Sequence, residues 1–230
     1  DKDIFGGELD NTILKDQLNL MRVGEPMYVF YGYVEDGYDE NGHIVYKNMD
    51  DDPAITAADK TIIGDPNPDF LVNLTTAVSY KGFTLSAFFQ SSIGNDIYSL
   101  SMAAQAYDYG YNGNTLREVY YNHWSPENPT AKYPNLDQTS YKMSDRFVYD
   151  GSFVRLKNLE LAYDVPCARS KFIKRARVYV SAQNLFTITS YPFWDPDINA
   201  NGGGSSMIQG VDSYCYPSAR TYTIGCRLTF

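Results

Sequence analysis

The sequence is short of the residues that usually carry chemistry. It has three cysteines, Cys167, Cys215 and Cys226, an odd set without metal-ligand spacing, which argues against a disulfide framework or a zinc site. Its two histidines, His43 and His123, lie in different segments, and no GxSxG or Cys–His pairing accompanies them, so signatures of nucleophilic catalysis are missing. Basic residues are outnumbered: 19 Lys and Arg face 28 Asp and Glu, for a net charge of −9. That is the wrong sign for a nucleic-acid partner, whose phosphates want a basic face. No apolar run approaches the roughly 18–20 residues of a membrane helix, but a membrane strand needs only about 9–11. There is no initiator Met, and the opening DKDIFGGELDN reads neither as a signal peptide nor as a domain start. The expectation is a piece of a longer protein whose N-terminal part is missing.

What is present suits strands and loops: Tyr, Thr, Asn, Ser and Gly are abundant, with 21 tyrosines. Alternating apolar and polar residues mark strands over Phe70–Tyr80 and Phe83–Gly94, with Lys81-Gly82 as a two-residue hairpin turn. Such a hairpin sets Tyr80 opposite Phe83, Val78 opposite Leu85, Thr76 opposite Ala87 and Leu74 opposite Phe89, a continuous apolar face. In Ser152–Tyr163 the apolar parity changes from Val154 and Leu156 to Leu159, Leu161 and Tyr163, which predicts a bulge near Lys157-Asn158. Arg177–Ile188 keeps one apolar parity apart from Asn184, and Tyr222, Ile224, Cys226, Leu228 and Phe230 alternate to the last residue. A sixth strand is expected within Pro26–Val34.

Three long connections, Glu35–Asp69, Asn95–Gly151 and Thr189–Ala219, alternate with the two short ones, Lys81-Gly82 and Asp164–Ala176, so the long loops emerge from one end of the sheet. The strands, at about 11–12 residues, exceed the usual globular length of about 5–6. Aromatics gather near their ends at Tyr80, Phe83, Tyr163, Phe186, Tyr191 and Phe230. These features favour an all-β fold, the strands of a transmembrane barrel with an apolar lipid face and a polar lumen face. The alternative is a soluble β-sandwich, such as a carbohydrate-binding module, whose inner face shows the same alternation.

Seven stretches taken together resemble the C-terminal barrel strands of SusC-like (SusC/RagA family) TonB-dependent transporters of Bacteroidetes. They are GEPMYVFYGYVEDG (24–37), TIIGDPNPDF (61–70), YKGFTLSAFFQSSIGNDIY (80–98), HWSPENPT (123–130), DGSFVRLKNLELAYDVP (150–166), RVYVSAQNLFTITSY (177–191) and YPSARTYTIGCRLTF (216–230). The resemblance implies that 1–230 is one segment of an outer-membrane barrel of about 22 strands, importing a nutrient with energy from the TonB complex. It further implies a SusD-like surface lipoprotein as partner, an oligosaccharide or peptide substrate, outer-membrane lipid around the wall, and a plug and TonB-box upstream. The chain end is then periplasmic, and no bond chemistry is expected. Tyr222, Ile224, Leu228 and Phe230 resemble the signal by which barrels are recognised for assembly.

Candidate binding residues lie in the long loops. Against a calcium loop, Asn48 to Asp59 offers Asn48, Asp50, Asp52 and Asp59, although Pro53 stands where Gly makes the sharp turn. An acidic, solvated loop is the other reading. A second acidic run, Asp195 to Gly204, reads as a Gly-rich loop. Tyr107, Tyr109, Tyr111, Trp124, Phe193, Trp194 and Tyr214 are the aromatics expected to meet substrate or partner, since sugar rings stack on such faces; the bland reading is packing between loops. Residues 114–124 predict a short helix, N-capped by Asn114 or Thr115, with Leu116, Val119 and Tyr120 on one face. Arg155, Lys157 and Arg227 are expected to line the lumen or lie at the periplasmic rim, a solvated strand face being the bland account.

Overall fold

The computed structural model describes residues 18–22, 24–106, 114–138, 140–167, 172–198 and 209–230. The chain divides into two compact units. One comprises Asp1–Asn67, Asn95–Asp150 and Ile198–Cys215, the other Pro68–Gly94, Gly151–Asp197 and Tyr216–Phe230.

The second unit is a five-stranded antiparallel meander of β1 (Phe70–Tyr80), β2 (Phe83–Ile93), β3 (Phe153–Val165), β4 (Arg175–Thr189) and β5 (Thr221–Thr229), each paired with its neighbours in sequence order. The β1–β2 register is the expected one: Tyr80 faces Phe83, Val78 faces Leu85, Thr76 faces Ala87 and Leu74 faces Phe89. Lys81 (φ 46°) and Gly82 (φ 85°) make the turn, both left-handed, which matches the twist of the strands it joins. The expected bulge is present and widens across the sheet. Between one lumen-parity pair and the next apolar pair, β2 advances one residue (Phe88 to Phe89), β3 two (Asn158 to Leu156) and β4 three (Gln183 to Phe186). Asn184, the exception in its strand's alternation, sits there with φ 51° and donates through Nδ2 to Ala219 O at 2.9 Å.

Period-two alternation gives this sheet one apolar face across all five strands. In register across the sheet run Val78, Leu85, Leu161, Val180 and Ile224. The opposite face carries Thr, Ser, Asn, Gln and charged residues, and Tyr179 covers Gly225, where a Cβ would stand 2.5 Å from the ring. The ends of the strands also sort as expected. The turn 81–82, the end of β3 at Val165, the start of β4 at Arg175 and Thr229 lie at one end; the long segments leave from the other.

The first unit is built from short strands. The stretch expected as a sixth strand is extended only over Val29–Gly32, and it pairs with Asn19–Leu20 and Thr61–Gly64 outside the meander. Its apolar run lacks alternation, and such a run fits a short buried strand as well as a wall strand. Glu35–Tyr38 pairs with Ile44–Tyr46, and Asp96–Ser99 lies between Val148–Asp150 and Val211–Asp212. Phe30, Tyr98 and Phe147 form its buried aromatic centre, with edge-to-face ring separations of 5.9 and 6.0 Å. α1 (Leu100–Ala106) was not expected; the helix expected within 114–124 is the single turn α2 (Arg117–Tyr121). Neither Asn114 nor Thr115 caps it: Leu116 holds the N-cap position and makes no side-chain bond. One turn presents only one position inward, so Val119 is buried while Tyr120 is exposed.

Candidate functional site

The apolar face of the meander is exposed over most of its length; Leu156 and Ser91, near the bulge, are buried. Val72, Leu74, Val78, Leu85, Leu161, Val180 and Ile224 are all exposed, Ile224 at 86%. A β-sandwich would bury this face beneath a second sheet. A contiguous exposed apolar face of this size marks contact with a lipid or protein surface. Tyr222, Ile224 and Leu228 lie on it, and Phe230, just beyond β5, is 70% exposed.

On the polar face the structure gathers an unexpected cluster. Arg155 projects from β3 and is only 2% exposed, so the reading of a solvated arginine is corrected. Its Nη2 donates to Asp195 Oδ1, Nη1 to Asp197 Oδ2 at 3.3 Å and Ser218 Oγ at 3.4 Å, and Nε to Thr187 Oγ1 at 2.9 Å. Its guanidinium lies 5.2 Å from the centroid of the Phe153 ring. Asp195 in turn accepts from the amides of Asp197 (2.9 Å) and Ser218 (2.8 Å). Burial pushes its carboxyl up, but the Ser218 and Asp197 amides and Arg155 outweigh that and hold it below the usual carboxylate range. Both ends of the segment joining β4 to β5 are therefore fastened to one buried cation. Lys157 approaches Asp197 at 3.8 Å. Sequence reading had the partners in hand, Arg155 on a polar face and an Asp-Pro-Asp run, but nothing local links residues so far apart.

The loop aromatics divide. Tyr191 is buried against Phe193, ring centroids 5.4 Å apart. Trp194, between Phe193 and the fastened Asp195, is 74% exposed. In the first unit Trp124 is half-buried over Gly42, where a Cβ would stand 2.3 Å from the indole. Tyr214 (φ 56°) is exposed, and its amide donates to Ser101 Oγ at 2.7 Å. Tyr107, Tyr109 and Tyr111 lie outside the described residues, as do Asn199 to Gly204. The same unit holds a second ion pair missed in the sequence: Arg146 donates through Nε to both carboxylate oxygens of Glu35 at 2.7 Å, and through Nη1 to Lys132 O at 2.6 Å.

In the acidic loop, Asn48, Asp50 and Asp52 each accept from the amide two residues on, at 3.1, 2.8 and 3.0 Å. Asp59 is fully buried, and its two oxygens accept from the amides of Met49 and Thr56, both at 2.7 Å. Thr56 and Asp59 form a capping box around the turn Ala57–Asp59. Among the described residues, no three His, Cys, Asp or Glu side chains converge to hold a metal ion. The Met49 amide, then that of Thr56, hold the Asp59 carboxyl below its ordinary range. A depressed folded value means that the clamp is intact above the unfolded carboxylate pKa of about 3.9. It is lost as pH falls through the lower folded value. Amide protection at 48–59, taken against the intrinsic exchange rate at each pH, should therefore hold from neutral pH down to about 4 and fall below. A self-capped loop predicts no change on adding millimolar calcium or chelator, whereas an ion-dependent loop would loosen on chelation.

No protein-family model matches the chain. Among curated proteins, TonB-dependent receptor P3 of Formosa agariphila is 32% identical over 249 residues, covering 99% of this chain and 24% of that protein. TonB-dependent receptor SusC of Bacteroides thetaiotaomicron is 30% identical over 215 residues, covering 91% of this chain and 20% of SusC. A solved structure of the RagAB peptide transporter superposes with a TM-score of 0.78 at 26% identity, over 99% of this chain and 25% of that one. The RagAB peptide importer in its open-open state gives 0.75 at 26% identity, over 94% and 24%. This chain spans between a fifth and a quarter of the length of the curated relatives it matches. With its meander, its exposed apolar face and its long segments leaving the strands at one end, the chain belongs to the SusC-like TonB-dependent receptors.

Proposed function

We propose that the full-length protein imports a nutrient across the outer membrane, powered by the TonB complex and assisted by a SusD-like surface lipoprotein. The observation that carries this reading is the five-stranded sheet with one largely apolar, largely exposed face and one polar face. Such a sheet has a stable place in a barrel wall, where lipid covers one side and a wet lumen the other. The segment acts as a transport element and performs no bond chemistry. Its short connections face the periplasm, with the end of β5, and its long segments face outward. There Trp194 and Tyr214, and Trp124 through the turn it supports, help meet substrate or partner. An oligosaccharide or a peptide is the cargo class; RagAB, among the similar structures, is named a peptide transporter.

Spin labels at Val72, Leu74, Val78, Leu85 and Phe89 of the full-length protein test the wall. Lipid contact at all five is expected, and water-accessible or protein-buried labels would refute the assignment. Uptake is tested in cells lacking the gene, fed defined glycan or peptide pools. We further assign to the outward residues of β5 a role in barrel assembly. Ile224→Asp is expected to lower the amount of assembled protein several-fold while leaving the substrate affinity of the remainder unchanged.

A further inference from the structure

One end of the sheet unit is basic. In segments 79–83, 163–167, 172–177 and 225–230, at the end of the tight connections, Lys81, Lys174, Arg175, Arg177 and Arg227 stand against one acid, Asp164. The chain as a whole is acidic, and segment 35–69 alone has ten acids against Lys47 and Lys60. The basic end is also sorted by face. Arg177 pairs with Asp164 at 3.7 Å and Glu160 at 3.8 Å, and Arg175 with Asp164 at 3.4 Å, all on the polar side. Lys81 and Lys174 remain for the other side. Lys81 stands 5.1 Å from the ring centroid of Tyr80, an exposed member of the apolar face. Lys174, exposed, precedes β4 in the same alternation as Ala176 and Val178, and its amide donates to Thr229 O at 2.7 Å.

Aromatic rings line the same edge of the apolar face. Phe83 and Tyr163 pair at 4.5 Å, with Tyr80 opposite Phe83 in the hairpin. Tyrosine and tryptophan rings settle at the boundary between hydrocarbon and headgroups. A strand rises about 3.4 Å per residue, so the Lys81 ammonium, one residue beyond the Tyr80 ring on a flexible stem, stands at the depth of the lipid phosphates, and Lys174, four residues past Val178, the partner of Tyr163, lies on the same headgroup side of the ring edge. We propose that Lys81 and Lys174, set beyond the aromatic edge of Tyr80, Phe83 and Tyr163, form a docking surface for the phosphates of anionic glycerophospholipids in the leaflet at this end. The inference rests on the membrane-wall reading above. It adds a lipid class and two residues to it.

The test uses the full-length protein, delipidated in neutral detergent and titrated with phosphatidylglycerol or phosphatidylcholine of matched acyl chains, with bound lipid counted by native mass spectrometry. Preferential retention of phosphatidylglycerol is expected, falling about five-fold for each lysine made neutral in Lys81→Gln and Lys174→Gln. The charge-keeping Lys81→Arg and Lys174→Arg variants should retain it. Equal retention of the two lipids, or no loss in the glutamine variants, would overturn the proposal. So would a preference for lipid A that these variants weaken while phosphatidylglycerol is ignored, since that places the surface in the other leaflet. Heat-modifiable migration on gels reports assembly separately. A wild-type protein that never enters the membrane fraction would count against the wall reading itself, whereas an assembled protein indifferent to lipid charge counts against this surface alone.

Discussion

Arg155→Met should unfasten the 190–220 segment, with a loss of about 3–5 kcal/mol of local stability, the cost of stranding a buried carboxylate without its cation. Methionine keeps most of the volume and the contact with Phe153, so the effect isolates the charge. The measurement is hydrogen exchange at the Asp197 and Ser218 amides, which both donate to Asp195. Their protection should fall by about a hundred-fold or more. Adding Asp195→Asn, which removes the stranded charge and keeps an acceptor for one of the two amides, should recover part of the loss. The pH dependence supplies an independent sign. In the unaltered protein the Asp195 carboxyl is held low, so the fastening persists above the ordinary carboxylate pKa of about 3.9 and is lost as pH falls through the lower folded value. Without Arg155, burial gains weight against the two amides, the carboxyl takes up its proton at higher pH than before, and the exchange profile shifts upward with it.

The second large effect is expected in the wall. Leu159 lies near the middle of β3, opposite Ala87 on one side and Ala182 on the other, in the apolar parity. Leu159→Arg would place a guanidinium in the hydrocarbon, at a cost of about 2–4 kcal/mol near the bilayer midplane. Ser181→Arg, facing Glu160 and Thr223 on the polar side, is the matched control. The first should sharply reduce heat-modifiable, membrane-assembled protein, and the second should leave it near normal. Equal behaviour of the two would mean that the faces do not meet different solvents.

The meander was legible because alternation is local information. A strand between two unlike solvents writes its face on every second residue, and so Phe70–Tyr80 was found to the residue and the bulge near Lys157 to its position. Pro26–Val34 shows the limit: it is apolar without alternation, and nothing in it distinguishes a wall strand from the four-residue buried strand it forms. The fastening of Arg155 to Asp195 was illegible for a different reason. Arg155 alternates with its neighbours like any solvated polar residue, and the carboxylates that fasten it come from a segment that returns 40 residues later. The acidic loop sits between these cases. Its spacing suits a calcium loop, and Asn48, Asp50, Asp52 and Asp59 accept from nearby backbone amides; spacing does not choose between an ion and those amides.

The widening bulge has a consequence for how such a sheet finds its alignment. Alternation rejects a slip of one residue, because that would turn every apolar side chain to the wrong side, but it tolerates a slip of two. Along a regular ladder, therefore, several alignments would look equally good to the lipid. The extra residues in β3 and β4, with Asn184 held left-handed, interrupt the repeat at one level only. Slide either strand by two, and the irregularities no longer meet, leaving backbone donors and acceptors unmatched within the membrane. The bulge thus serves as an index mark: the solvents choose the face, and this one irregularity chooses the notch.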